Sequence, residues 1–316
     1  MQNKKIVILG TGGTIAGVAG DQASNIDYTA AQIGVSQLTS SIAGLGDVVT
    51  EQVAQTDSKD MSFEVWTHLA NRVQHHLSQG DVQGVVITHG TDTLEETAYF
   101  LHAVLQPAKP VVLTCAMRPA SALAPDGPQN ILDAVTVARH AGAQGVVVVC
   151  AGGIHGALDV QKFHTYQLNA FSSGESGLIG IVEENTLRVF RKWPCNQELH
   201  AQNAIKNIAI LNTLPAWPRV EIVMSYAGAD GALVDASVAL GVKGLVVAGT
   251  GNGEVHHALE SALIAAQSQG VQVIRATRCP QGRVLPRRGD RFASFGSLNP
   301  VKARIALMLG LMGAAA

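Results

Sequence analysis

Hydroxyl side chains set among glycines are the first sign of chemistry in this chain. Residues 10–14 read GTGGT, where glycines let the backbone turn tightly and bring amide hydrogens and the hydroxyls of Thr11 and Thr14 close to a ligand. Residues 88–97 read THGTDTLEET, directly after the apolar run GVVIT and directly before a helix signature. A helix N-terminus carries partial positive charge and free amide hydrogens, which support a carboxylate or a developing oxyanion. Two more polar stretches each follow an expected strand: QTDSKDM at 55–61, ahead of the helix holding Trp66 and Leu69, and ALDVQK at 157–162, after GVVVV and the turn Gly152-Gly153. Each segment also has a plain alternative: a bare glycine turn, a helix cap made by Thr91 and Asp92, or a solvated loop. The nucleotide-loop fingerprints fail, because the third glycine of a dinucleotide motif would fall at Ile15 and no G-x-x-x-x-G-K-[ST] occurs.

The elements that must position these segments are legible as short β-branched runs. KKIVILG, GVVIT, PVVLT, GVVVV, VEIVMSY, GLVVAG and VQVIRA recur with helical segments between them. Continuous apolar strands are buried on both faces, and strands alternating with helices imply right-handed crossovers and a parallel sheet, an α/β architecture. Ligands of such sheets bind beyond the carboxyl ends of the strands, where all four polar segments fall. Thr93 with Glu96 predicts a capping box for a helix reaching Leu105, and Asn299 with Pro300 predicts the N-cap and first position of the last helix. Residues 15–31, rich in glycine and alanine, read as a lid.

At 316 residues the chain exceeds the roughly 150 of a typical domain, so two domains are expected. Pro215 and Pro218 and the irregular polar stretch before them place a linker at 192–218, between an N-terminal domain at 1–191 and a C-terminal domain at 219–316. The composition is 47% hydrophobic and only 15% charged, which excludes a disordered chain and favours an oligomer. With 22 basic against 24 acidic residues, the net charge of −2 gives no global attraction to nucleic acid or an anionic membrane, so a small molecule fits better as partner. The apolar stretch at 305–316 is too short to span a bilayer, and residues 1–20 make a poor secretion signal, so a cytoplasmic location is the default. The four cysteines, Cys115, Cys150, Cys195 and Cys279, form no C-x-x-C and are read as reduced thiols. His75-His76 and His256-His257 are adjacent pairs without H-E-x-x-H, so neither a metal nor a cofactor is expected. His89 is read as a side chain that positions its neighbours.

The combination TGGTIAG (11–17), HGTDTLEETA (89–98), AMRP (116–119), APDGPQN (124–130), Lys162 in DVQK and SLNPVKAR (297–304) resembles the bacterial L-asparaginases over nearly the whole length. The resemblance implies a larger N-terminal domain with a mostly parallel sheet flanked by helices and a smaller C-terminal α/β domain. It also implies a homotetramer of close dimers, in which the C-terminal domain completes a neighbouring subunit's site. By the same resemblance, Thr14 matches the threonine nucleophile that attacks the side-chain amide carbon, and Tyr28 the lid tyrosine that helps to activate it. Thr91, Asp92 and Lys162 match a second triad that orients a hydroxyl or water and relays its proton. Ser58 matches the serine that binds the substrate α-carboxylate, with Asp92 on the α-ammonium.

Two departures from the family pattern bear on specificity. Lys59 stands in the substrate-binding segment where the secreted enzymes usually carry glutamine, and a cation there should repel the ammonium. The stretch between Pro280 and Leu298 lacks the glutamate that the family sends into the neighbouring site; Asp290 is a candidate replacement, beside arginines read as a solvated face or an intersubunit ion-pair patch. The implied reaction is hydrolysis of L-asparagine to L-aspartate and ammonia. A mixed glutaminase-asparaginase and a non-catalytic amino-acid-binding protein on the same scaffold are the alternatives, with a nucleotide-binding protein behind them.

Overall fold

The first apolar run forms β1 (Lys5–Gly12), in which Ile6, Val7, Ile8 and Leu9 are fully buried, as a central strand covered on both faces requires. A computed structural model describes residues 4–194, 208, 210–213 and 216–315. The chain divides into two units, Met1–Gln197 and Glu198–Ala316.

The first unit is built on a sheet of eight strands. Beside β1 these are β2 (Val48–Thr56), β3 (Val82–Thr88), β4 (Pro110–Thr114), β5 (Gly145–Cys150), β6 (Gly153–Gly156), β7 (Gly180–Glu183) and β8 (Thr186–Val189), in the spatial order β8-β7-β6-β5-β4-β3-β1-β2. The five strands β2, β1, β3, β4 and β5 are parallel, while β6, β7 and β8 continue antiparallel. The sheet is therefore mixed, and the antiparallel edge is absent from the list of apolar runs because its strands are short. The other edge, β2, is also missing from that list. Glu51 on this strand takes two hydrogen bonds from Arg72 and one contact from His76 at 2.7 Å, and the strand VVTEQVAQT mixes polar with apolar residues instead of forming a continuous apolar run. The Arg72 hydrogen bonds hold the Glu51 carboxyl at about 2, well below the usual range.

The chain runs from β1 to β2 on one side and returns to β3 on the other, so the order reverses at β1. In open α/β sheets such a switch point is where ligands bind, beyond the carboxyl ends of the strands, here β1 and β3. Two helices cover the faces close to it, Phe63–Leu77 and Gly127–Arg139, and a third, Leu94–Leu105, leads away from β3. The lid segment contains a short hairpin in which Val18–Ala19 pairs with Tyr28–Thr29.

The second unit carries a parallel sheet of four strands, in the order Val220–Met224, Gly244–Gly249, Gln272–Thr277 and Ala293–Ser294. Its last helix, Pro300–Ala315, starts as predicted, with the Asn299 side chain accepting from the Lys302 amide at 3.0 Å. Most of the expected linker lies outside the described residues, as does Cys195; within it, Ile210–Thr213 forms a helical turn.

Beyond β1 the backbone enters the left-handed region at Gly13, with φ of 82°. A Cβ on Gly13 would lie 2.2 Å from the Cα of Gly90, so the turns after β1 and β3 touch backbone to backbone. Gly13→Ala combines that clash with a strained φ and is expected to cost about 3 kcal/mol or more in unfolding free energy, measured by urea denaturation. An unchanged unfolding midpoint would show that the two turns are free to separate.

Candidate active site

Three neighbouring strands deliver three of the polar segments. β2 leads to Ser58, β1 to Thr14 and β3 to Thr91, and the strand order β2-β1-β3 sets them side by side. Gly90 closes the arrangement, since a Cβ there would meet the Ser58 Oγ at 2.4 Å and the Cα of Gly13 at 3.1 Å. Two hydrogen bonds tie the Ser58 loop to the start of the following helix. The Asp92 amide donates to Ser58 Oγ at 3.1 Å, and Thr93 Oγ1 donates to the Ser58 carbonyl at 2.8 Å. This corrects the capping box. The helix does run Leu94–Leu105, but Thr93 makes no side-chain cap, because its hydroxyl is committed to the Ser58 loop.

Thr14 opens a short 3-10 turn, Thr14–Ala16, and is buried. Its hydroxyl shares a hydrogen bond of 2.7 Å with the Tyr28 phenol, which the lid hairpin carries over it. Thr91, also buried, accepts from Lys162 Nζ at 2.8 Å, and the same amine lies 2.6 Å from Asp92 Oδ1. Lys162 comes from a distant part of the chain, on a two-residue strand, Gln161–Lys162, paired with Phe171–Ser172. The structure thus places Thr14 with Tyr28, and Thr91 with Asp92 and Lys162, on turns that are in contact through Gly13 and Gly90. Ser58 is 2% exposed and keeps a hydroxyl hydrogen available for an anion.

Lys59 is not drawn into this cluster. Its ammonium lies 2.8 Å from Asp57 Oδ2 and 3.0 Å from Asp60 Oδ2 on the exposed side of the turn, and these two carboxylates raise its pKa. The repulsion expected of a cation at this position is therefore largely neutralised within the turn itself. Asp290 is likewise engaged. It pairs at 2.6 Å with the buried Arg275 guanidinium and accepts from the Arg287 amide at 2.7 Å, so it does not present a free carboxylate. Arg287 pairs in turn with Glu254 at 2.9 Å, which makes this part of the arginine cluster an ion-pair patch inside its own unit.

His89 supplies what the sequence reading could place only loosely. It is fully buried, and its Nδ1 lies 2.7 Å from the Gly90 carbonyl, which can only accept, so Nδ1 carries the hydrogen. Burial lowers the imidazole to about 4, so it is neutral near pH 7 and Nε2 is an acceptor. Thr97 Oγ1 lies 3.0 Å from that nitrogen and itself accepts from the Trp66 indole at 2.9 Å. A directed chain from Trp66 through Thr97 and His89 thus pins the Gly90 carbonyl, one residue from Thr91. The other motifs that carry the resemblance also serve as scaffold. Asp126 accepts from the amides of Met117 and Arg118, both at 3.0 Å, and Asn130 donates to the Cys115 carbonyl at 2.9 Å. Among the described residues no group of three His, Cys, Asp or Glu could hold a metal ion, and no helix is long and apolar enough to cross a membrane.

Residues 5–195 match the N-terminal asparaginase family model, and residues 219–314 match the C-terminal domain of the glutaminase/asparaginases. The chain belongs to the asparaginase family. It is 38% identical over 315 residues to L-asparaginase 2 of Bacillus subtilis (strain 168), covering 97% of this chain and 82% of that protein. It is 37% identical over 317 residues to the glutaminase-asparaginase of Pseudomonas fluorescens biotype A, covering 97% and 86%. A crystal structure of a probable cytoplasmic L-asparaginase from Campylobacter jejuni superposes with a TM-score of 0.90 at 36% identity, covering 98% of this chain and 95% of that one.

The buried imidazoles set a pH dependence. Burial lowers His89 and His155 each to about 4, below the ~6.5 of an unfolded chain. Between these values the unfolded state binds the extra protons, so stability is complete above pH 6.5 and falls as pH drops towards 4. Unfolding free energy is expected to decline by about 1.4 kcal/mol per pH unit for each histidine in that window, and His89→Asn should remove one of the two contributions. Urea melts at pH 7 and pH 5 check this. Equal pH slopes in the two proteins would show that His89 is not buried neutral.

Proposed function

We propose that this protein hydrolyses the side-chain amide of L-asparagine to L-aspartate and ammonia through an acyl-enzyme on Thr14. A threonine hydroxyl is a weak nucleophile near pH 7 and needs a proton acceptor and a prepared site for the oxyanion. In this reading Oγ1 attacks the amide carbon as its proton passes to the Tyr28 oxygen, which in the same step hands its own hydroxyl hydrogen to the amide nitrogen. The carbon–nitrogen bond then breaks, ammonia leaves with that hydrogen, and water cleaves the ester to release aspartate. Lys162, flanked by Asp92, orients the Thr91 hydroxyl and relays a proton for one of these steps. The Ser58 hydroxyl donates to the substrate α-carboxylate, and the free Asp92 oxygen accepts from the α-ammonium. Because Asp290 is held by Arg275, Asp92 carries the ammonium contact without an acidic arm from the loop at 283–291. No cofactor or metal enters the scheme.

The observation that carries this reading is the contact of the two glycine turns. It joins the turn that ends in a tyrosine-bonded threonine to the turn that precedes a lysine-bonded threonine, at the place where the strand order reverses. Family membership over both domains supports the same activity. We further infer a homotetramer of close dimers in which the C-terminal domain completes a neighbouring subunit's site, and a cytoplasmic location, in keeping with the low charge content and the Campylobacter jejuni neighbour's description. Glutamine is a second substrate to test, because one relative is a glutaminase-asparaginase and one methylene is worth only about 1–3 kcal/mol in a pocket.

Purified protein should release ammonia from L-asparagine, with Thr14→Ala, Thr91→Ala and Lys162→Met each lowering kcat by about a hundredfold or more while circular dichroism is unchanged. Full turnover by folded Thr14→Ala and Thr91→Ala would remove the assigned chemistry. Asparagine and glutamine assayed side by side rank the two amides. Lys59→Gln should change KM for asparagine by less than about fivefold, the ~1 kcal/mol limit of an exposed ion pair. A much larger fall in KM would mean that the ammonium of Lys59 still repels the substrate.

A further inference from the structure

Cys115 and Cys150 lie next to each other at the carboxyl ends of two neighbouring strands. Cys115 follows the last residue of β4, and Cys150 ends β5. These strands are parallel and pair Thr114 with Val149, so the two cysteines are the next register neighbours. Adjacent strands are about 4.8 Å apart, inside the Cα separation of 4.4–6.8 Å that a disulfide spans. Both thiols are free and buried, at 1% and 4% exposure, and their sulfurs are 2.9 Å apart. Packing alone would keep two such thiols about as far apart as any other side chains in contact; here they face each other with nothing between.

The backbone around them is held in place on both sides. Asn130 donates to the Cys115 carbonyl at 2.9 Å and accepts from the Ala151 amide at 3.0 Å, bridging the residues that flank the pair. Thr114 Oγ1 donates to the Val149 carbonyl at 2.8 Å. Cys150 also forms part of the wall of a cavity of about 340 Å³, together with Gly153, His155, Phe163, Phe171 and Ser173. Cys115 lies behind it. Burial, and then the neighbouring Cys150, push the Cys115 thiol well above its ordinary range, and Cys115 is not among the residues lining that cavity.

We propose that Cys115 and Cys150 form an oxidation site, a dithiol that a small hydroperoxide closes to a disulfide. The Cys150 sulfur attacks one peroxide oxygen. The oxygen–oxygen bond breaks, water or an alcohol leaves, and Cys150 becomes a sulfenic acid. The Cys115 sulfur then attacks the Cys150 sulfur, the sulfur–oxygen bond breaks, and the hydroxyl departs as water with the Cys115 proton. Two thiols are oxidised and one hydroperoxide is reduced. The bond staples the ends of β4 and β5 around a loop that includes the helix Gly127–Arg139, which removes freedom from the unfolded chain. The reduced thiols of the resting protein are thus the open form of this staple.

The test uses the full-length protein with Cys195→Ser and Cys279→Ser, so that the pair supplies the only thiols. Treatment of the folded protein with hydrogen peroxide, or with diamide as a second oxidant, should remove both titratable thiols. Peptide mapping should then give a single Cys115–Cys150 cross-link within one chain. Dithiothreitol should restore both thiols, and the oxidised form should melt several degrees higher than the reduced one. Cys150→Ser on the same background should abolish the cross-link and the shift in Tm. Two thiols that persist in the folded, oxidant-treated protein, or a cross-link that forms only after denaturation or only between chains, would overturn the proposal.

Discussion

The arrangement rests on two backbones approaching where no side chain can fit. Gly13 and Gly90 end the turns after β1 and β3, and the space for a Cβ on either is already occupied by the other turn or by Ser58. Such an approach is affordable because the strands behind it are packed on both faces and cannot drift apart. The payoff is positional, because each glycine sits next to one of the two candidate threonines, Thr14 and Thr91. A contact that stabilises little by itself thereby fixes the distance between two hydroxyls drawn from segments 77 residues apart, as the neighbouring Thr11–Thr88 hydrogen bond measures.

Around this contact, most polar groups serve to hold something else. Thr93 is committed to the Ser58 carbonyl, and His89 to the Gly90 carbonyl. Asp126 and Asn130 hold the turn after β4. Buried polar groups are costly unless paired, so a network of this kind defines one geometry and penalises departures from it. The His89 chain shows the principle clearly. It is neutral because it is buried, and being neutral it can donate at one nitrogen and accept at the other. An imidazolium would have no acceptor for Thr97.

The elements with the plainest periodicity were the most legible in the chain. The strands built on the buried runs IVILG, GVVIT, PVVLT and GVVVV, and the helix starting at Pro300, all follow from continuous apolar runs and end signals. The strand at Val48–Thr56 is absent from that reading because an edge strand exposes one side and carries Glu51 for Arg72. The short antiparallel strands near Gly153 and Gly180 are too brief for a periodicity to emerge. The candidate residues were legible as types and spacings, aided by the family resemblance, but their partners were not. Thr93 has the sequence of a cap and is used for another purpose. Lys59 looks like an intruding charge, yet two acidic neighbours in sequence, Asp57 and Asp60, hold its ammonium.

Sequence alone therefore determined the class of fold, the strands that lead to Thr14 and Thr91 and the polar segments that follow them, because burial and turn formation are local properties of composition and order. It also determined which side chains are available, including the threonines, the lysine and the paired cysteines. Tertiary structure decided which of them meet. The Thr91–Lys162 contact, the engagement of Asp290 by Arg275 and the meeting of Cys115 with Cys150 all join residues remote in the chain or on separate strands. No local pattern encodes such distances. They depend on strand order and register, which are set by how the whole sheet packs.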